Sequence, residues 1–247
     1  MTVNILDSMK DIVKHTSSLG FLDMVKIVGS PTDAKIESID ADKTVVVFGD
    51  MYQPITDLDT TVGLSRLPIL KGYMDLHAKS DVSIVKEQRG GVNTPVEMHF
   101  DDGAGLVADY RFMSESMVNE QIKVPPFKGA TWNVTITPEK KSISTLSAYQ
   151  GILGGFEKRF SVKVEKNTLF FVIGSGPTDR VTVPFATNLN GTLKSQWSYP
   201  LSQVLGILKL SDTSASVSMN FSDMGALKID IDSGIGKYSY ILPAGKS

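Results

Sequence analysis

The chain has 247 residues, 41% hydrophobic and 21% charged, with 25 Lys and Arg against 27 Asp and Glu. That composition excludes a disordered or fibrous polypeptide and a uniformly basic coat, though a basic patch can sit on an acidic body. The absence of cysteine excludes disulfide frameworks, thiolate metal sites and thiol nucleophiles, and His15, His77 and His99 are too scattered for a His-based site.

The opening Met1-Thr-Val-Asn-Ile-Leu-Asp carries no basic region and no long apolar run, so no secretory signal is expected. No run of ~18 apolar residues offers a membrane span, and a soluble intracellular protein is the expectation. Ile5, Met9, Ile12 and Val13 form the stripe of an amphipathic helix. Ala34–Ile39 and Thr44–Phe48 read as a strand pair. Ser65–Leu76 reads as a second helix with Pro68 in its first turn, where a missing N–H costs nothing. The alternating run Val82–Val85 follows. Val96–Tyr110 then reads as a hairpin through Gly103-x-Gly105, and Asp101 and Asp102 are turn residues there. From Met113 to about Phe127 the chain is expected to be an extended, non-helical connector, because Pro125 and Pro126 exclude helix there.

The same order then recurs. A short alternating strand precedes Thr137-Pro-Glu-Lys. Ile143, Leu146, Tyr149 and Leu153 give a helical stripe, and Arg159–Val164 pairs with Thr168–Ile173. Ser198–Leu210 gives a second helix, and Ala215–Phe221 alternates. The last hairpin, Leu227–Ile241, matches Val96–Tyr110 without a gap at an offset of 131. Val96, Met98 and Phe100 fall on Leu227, Ile229 and Ile231, and Gly103 and Gly105 fall on Gly234 and Gly236, where glycine supplies unusual backbone angles. The fold class is therefore α+β, with two similar domains at 1–113 and 128–247 joined by a connector at 114–127, each with helices on one face of antiparallel sheets.

Catalytic motifs are missing. Gly245-Lys246-Ser247 echoes a phosphate loop, but Tyr240 stands where the loop needs glycine and no helix follows. Asp230-x-Asp232-x-Gly234 opens like a calcium loop, but Ile241 stands where the bidentate acid belongs. No Ser/His/Asp set can be assembled. No enzymatic activity, metal or cofactor is expected.

The duplicated chain resembles the DNA sliding clamps. The ending Ser222-Asp-Met-Gly-Ala-Leu-Lys-Ile-Asp-Ile through Ala244 is similar to the last hairpin and tail of proliferating cell nuclear antigen. Ser38-Ile-Asp-Ala is similar to its Ser-Met-Asp-Ser stretch. Ile122-Lys-Val-Pro-Pro-Phe127 resembles the connector of clamps from myovirus-type phages. The resemblance implies a closed ring of six domains, hence a homotrimer of two-domain chains. Such a ring encircles duplex DNA without reading its bases, tethers the replicative polymerase as a processivity factor, and is opened by an ATP-dependent loader. It also implies the cytoplasm of an infected bacterium if the chain is phage-encoded.

By the same resemblance, Lys10, Lys14, Arg66, Lys71, Lys140, Lys141 and Lys209 are the candidate DNA-binding residues. Ordinary solvated helix faces are the alternative for each, and Asp7 and Asp11 lie close to Lys10 and Lys14. Ile39, Thr44, Val118, Tyr240, Leu242 and Pro243 are the candidate partner pocket. Leu106, Ala108, Tyr110 and Phe112 of one chain are expected to pair with Val181 and Val183 of the next. Two rivals stand beside this reading: a duplicated α+β enzyme with an interdomain site, and a structural protein that assembles through the same strand edges.

Overall fold

Asn4 starts the first helix. Its side chain accepts the Asp7 N–H at 2.9 Å, satisfying a donor that the helix itself leaves open. The computed structural model describes residues 4–176 and 179–246. They fall into two compact units, Met1–Pro125 with Ile235–Tyr238, and Pro126–Gly234 with Ser239–Ser247.

In the first unit, helix α1 (Ile5–His15) buries Met9, Ile12 and Val13 of the expected stripe, with Leu6, and leaves Ile5 half-buried. Four strands follow, β1 (Val25–Gly29), β2 (Ala34–Ile39), β3 (Val46–Met51) and β4 (Thr61–Leu64). They are antiparallel in the order β4-β1-β2-β3. Helix α2 (Leu67–Leu76) has Pro68 in its first turn, as expected, and packs on α1. Three further strands, β5 (Asp81–Arg89), β6 (Val92–Asp101) and β7 (Val107–Arg111), form a separate sheet in that order, so β7 is an edge.

The connector corrects the sequence reading. It holds helix α3 (Glu115–Gln121), begun by Ser114, whose hydroxyl accepts from the Met117 N–H. The prolines at 125 and 126 restrain only the residues next to them. Upstream, a serine cap and apolar Val118 and Ile122 one turn apart are enough for a helix. Val118 and Ile122 are buried with Met113, and Met24, Ile39 and Val124 pack around them. The connector residues through Pro125 thus count with the first unit, where the sequence boundaries set 114–127 apart.

The second unit opens with β8 (Val134–Ile136) and α4 (Lys140–Leu153), and then repeats the first. Its elements are β9 (Arg159–Glu165), β10 (Thr168–Ile173), β11 (Val181–Ala186), β12 (Trp197–Pro200), α5 (Leu201–Lys209), β13 (Ser216–Ser222), β14 (Ala226–Asp232), β15 (Gly236–Pro243) and β16 (Gly245–Lys246). The order β4-β1-β2-β3 recurs as β12-β9-β10-β11, with β16 added beyond β12. Strand β11 is the other edge of that sheet. Pro200 is the residue before α5. Phe171 is the centre of this unit's core, stacked on Phe185 at 4.0 Å and packed on Phe160 at 4.5 Å.

The two matching hairpins share their turn chemistry. Asp101 accepts the Gly103 N–H at 2.8 Å and Asp232 accepts the Gly234 N–H at 2.9 Å, with φ of 71° and 87° at the two glycines. The second glycines differ. Gly105 has φ 104°, as expected, whereas Gly236 has no positive φ and is needed for space. A Cβ there would lie 3.0 Å from the Met51 sulfur and 3.1 Å from the Asp50 carbonyl oxygen. This is how residues 235–238 lie against β3. Tyr52 N–H donates to the Ile235 carbonyl at 2.9 Å, and the Tyr238 hydroxyl donates to Asp11 at 2.8 Å. The Tyr238 ring stacks on His15 at 4.2 Å.

Candidate functional site

Basic side chains collect on the paired helices of each unit. In the first, Lys10 is exposed on α1 and Lys14 half-buried. Arg66 is exposed at the start of α2 in a left-handed conformation, φ 53°. Lys71 is exposed and pairs with Asp75 one turn on. Asp11 does not compete with Lys10 and Lys14 at the surface, since it is buried and receives the Tyr238 hydroxyl. Asp7 is exposed in the first turn of α1, where a carboxylate complements the helix dipole. In the second unit, α4 and α5 pack together. Lys140, Lys141 and Lys209 are all exposed, and Lys140 lies 3.6 Å from Asp212. Lys140 and Lys209 border a cavity of about 550 Å³ with Ile143, Ser147 and Asp212. The seven cations therefore lie in two groups, one on each helix pair.

The candidate interface residues sort by strand alternation. Leu106 precedes β7 and is 55% exposed, and Ala108 and Phe112 are half-buried. Tyr110 is buried within its own unit, its hydroxyl bonded to the Ser65 carbonyl. Burial pushes that hydroxyl's pKa up to about 12, against the hydrogen bond and the Arg66 charge. On β11, Val181 is half-buried and Val183 buried. Tyr110 and Val183 thus present only their backbone at the strand edges. Val107, in the same strand as Tyr110, is 53% exposed.

A groove of about 260 Å³ lies in the first unit between the end of β2 and the connector, lined by Met24, Ile39, Asp40, Lys43, Ile122 and Lys123. Asp40 holds its floor. One carboxylate oxygen accepts the Thr44 and Val45 N–H groups, each at 2.7 Å, and the other accepts the Thr44 hydroxyl at 2.6 Å. Thr44 is thereby turned to Asp40, and Ile39 is the expected residue that lines the groove. Val118, Tyr240 and Leu242 are fully buried and offer no surface to a ligand, while Pro243 is exposed. A corrected wall takes Met24, Ile122 and Lys123 in place of Val118 and Thr44. The acid in Ser38-Ile-Asp-Ala was the available signal for this loop, as Asp often binds backbone just downstream.

Among the described residues no cluster of His, Asp or Glu has metal-binding geometry, and no helix is long and apolar enough to cross a membrane.

No family model and no curated protein matches the sequence. Solved structures do match the fold along nearly all of the chain. The proliferating cell nuclear antigen (PCNA) of Thermococcus kodakaraensis superposes with a TM-score of 0.71 at 13% identity, covering 97% of this chain and 98% of its own. The PCNA of A. fulgidus, solved with the C-terminal region of FEN-1, gives 0.69 at 12% identity and covers 96% of both chains. The Entamoeba histolytica protein gives 0.65 at 11%, covering 96% of this chain and 94% of its own. The α+β fold of this chain, two similar units of helices and antiparallel sheets, is the DNA-clamp fold.

Proposed function

We propose that the chain is a subunit of a DNA sliding clamp. Three copies close into a ring around duplex DNA and tether the replicative polymerase, so that a weak encounter becomes persistent through high effective concentration. The observation that carries this reading is the pair of unmatched edges in a duplicated fold. Strand β3 has residues 236–238 of β15 beside it, while its counterpart β11 and β15's counterpart β7 are both edges. An edge strand seeks a partner, and β7 of one copy against β11 of the next satisfies both. The likeness in fold to the antigens over nearly the full chain supports a clamp role.

The groups of cations on α1–α2 and α4–α5 supply phosphate contacts without base reading, and DNA offers a phosphate charge every ~1.7 Å. The groove at Ile39 and Ile122 is the dock for apolar anchors of polymerase and other DNA-processing proteins; the A. fulgidus antigen was solved with the C-terminal region of FEN-1 bound. An ATP-dependent loader opens the ring, and the subunit itself needs no catalytic group. The connector Ile122–Phe127 supports a phage-type clamp at work in the cytoplasm of an infected bacterium.

The test is retention on DNA. With a replicative polymerase and its ATP-dependent loader supplied, the protein should remain on nicked circular DNA at high salt, leave when the circle is linearised, and lengthen polymerase products. A trimer that is never retained on circles would overturn the clamp reading in favour of an assembly protein.

A further inference from the structure

The repeated sheets carry cavities at corresponding ends. In the first unit the groove at the end of β2 is walled by a passing polypeptide, connector residues Gln121–Lys123. In the second, a cavity of about 220 Å³ opens at the start of β9 and the end of β10, lined by Glu157, Arg159, Ser161, Val172, Ser175 and Ser198. No connector residue lines it. The place that holds a peptide segment in one unit is open in the other.

Its chemistry is also different. Arg159 is half-buried. Its Nε donates to the Ser198 hydroxyl at 3.0 Å and an Nη to the Ser198 carbonyl at 2.5 Å. Both acceptors are neutral, and among the described residues no carboxylate lies within ion-pair distance of the guanidinium. Burial lowers its pKa from the ordinary value, with Tyr199 opposing. A partly desolvated cation without a counter-charge is costly, and a bound anion offsets that cost. The guanidinium packs on Gly245, and its two bonds to Ser198 leave three of its five N–H groups for a planar acceptor on the cavity side. Glu157 on the rim disfavours a phosphate dianion and leaves room for a single negative charge.

We propose that this cavity binds the side-chain carboxylate of an acidic peptide on a partner protein, with Arg159 as its counter-charge. The site lies within one unit and does not depend on the ring. The test titrates full-length protein with the blocked peptides Ac-Gly-Glu-Gly-NH2 and Ac-Gly-Gln-Gly-NH2, and separately with sodium phosphate, following backbone amide signals of Ser161, Gly174 and Ser198 by NMR.

The glutamate peptide should shift these signals saturably, and the glutamine peptide should bind roughly tenfold more weakly, the size of a lost charge-assisted bond. Arg159→Gln should abolish the preference and Arg159→Lys should keep part of it. Ser175→Trp, an exposed rim change that leaves Arg159 and Ser198 in place, should block binding even if Arg159→Gln proves unstable. Equal binding of both peptides, or binding unchanged by Ser175→Trp, overturns the proposal. Saturation by phosphate alone would assign the cavity to a phosphoryl group and overturn the carboxylate.

Discussion

Tyr199 and Tyr238 are both fully buried, yet their hydroxyls meet opposite surroundings. Tyr238 donates to Asp11 at 2.8 Å, while the Tyr199 hydroxyl has no hydrogen-bond partner among the described residues. Burial raises the Tyr199 pKa above its ordinary 10.0, against the Arg159 charge. Removing an unsatisfied buried hydroxyl relieves a desolvation cost, whereas removing a satisfied one strands its partner. Tyr199→Phe is therefore expected to raise unfolding free energy by about 1 kcal/mol and Tyr238→Phe to lower it by about 1–3 kcal/mol. Urea denaturation checks both, and the same sign for the two would refute the contrast. His99 on β6 offers a pH test. Its Nδ1–H donates to the Asp109 carboxylate at 2.6 Å, which raises its pKa above 6.5; burial opposes, and the charges of Asp109, Asp101 and Glu97 add to the rise. A raised folded pKa means that this pair stabilises the protein below the unfolded His value of ~6.5 and that the contribution fades as pH climbs through the folded value. Asp109→Asn should bring the imidazole titration, followed by NMR, back down. A titration unmoved by that change would show that the pair is not made in solution.

At the scale of elements, the helix in the connector depends on a glycine in β4. A Cβ on Gly63 would fall 2.8 Å from the Val118 Cβ and 2.9 Å from that of Met113, so the strand and α3 meet only because position 63 is bare. Gly63→Ala should push α3 off the sheet and cost about 1–3 kcal/mol, as overpacking does. Amide exchange in residues 115–121 should speed up far more than in α1; equal protection in both proteins would mean that the contact yields elsewhere. This contact also marks where the sequence stops being legible. The duplication was readable because Asp101–Gly103 and Asp232–Gly234 make the same local turn, and local chemistry repeats with the residues that cause it. The stripes of α1 and α4 were readable because burial follows helical spacing. Helix α3 was hidden by the prolines after it, though Ser114 announced its start. Gly236 looked like a turn glycine because the sequence cannot distinguish a need for φ from a need for space. The candidate site divides the same way. The exposed lysines stood out as charges on helix faces. By contrast, Arg159 read as one more polar position in an alternating strand, and Tyr240 and Leu242 read as pocket walls although both are buried.

At the scale of the whole molecule, each copy carries two strand edges of unlike kind. Strand β7 leads with exposed Val107, and β11 carries Pro184, a residue that sheets accept at edges because it has no N–H to offer a neighbour. Pairing β7 of one copy with β11 of the next is heterologous: each copy gives one edge and receives the other, and repetition closes a ring only if the rotation fits. The expected mass in solution is three times the chain's 26.8 kDa. The Phe112 N–H bonds back to Val96, so by strand alternation the N–H of Val107 points away from β6. Thr182 alternates with Pro184, which puts its N–H on the outer side of β11. Val107→Pro therefore removes an outward donor from one edge and Thr182→Pro removes one from the other. Each variant alone has a defective edge in every contact and should run as a monomer in light scattering. Mixed, the intact β11 of the first meets the intact β7 of the second, and the pair should form a one-to-one dimer that cannot grow. A like-with-like contact behaves differently: if β7 paired with β7, the Thr182→Pro chain would dimerise by itself. Trimers from either variant alone, or a mixture that stays monomeric, would show that these edges do not join the copies.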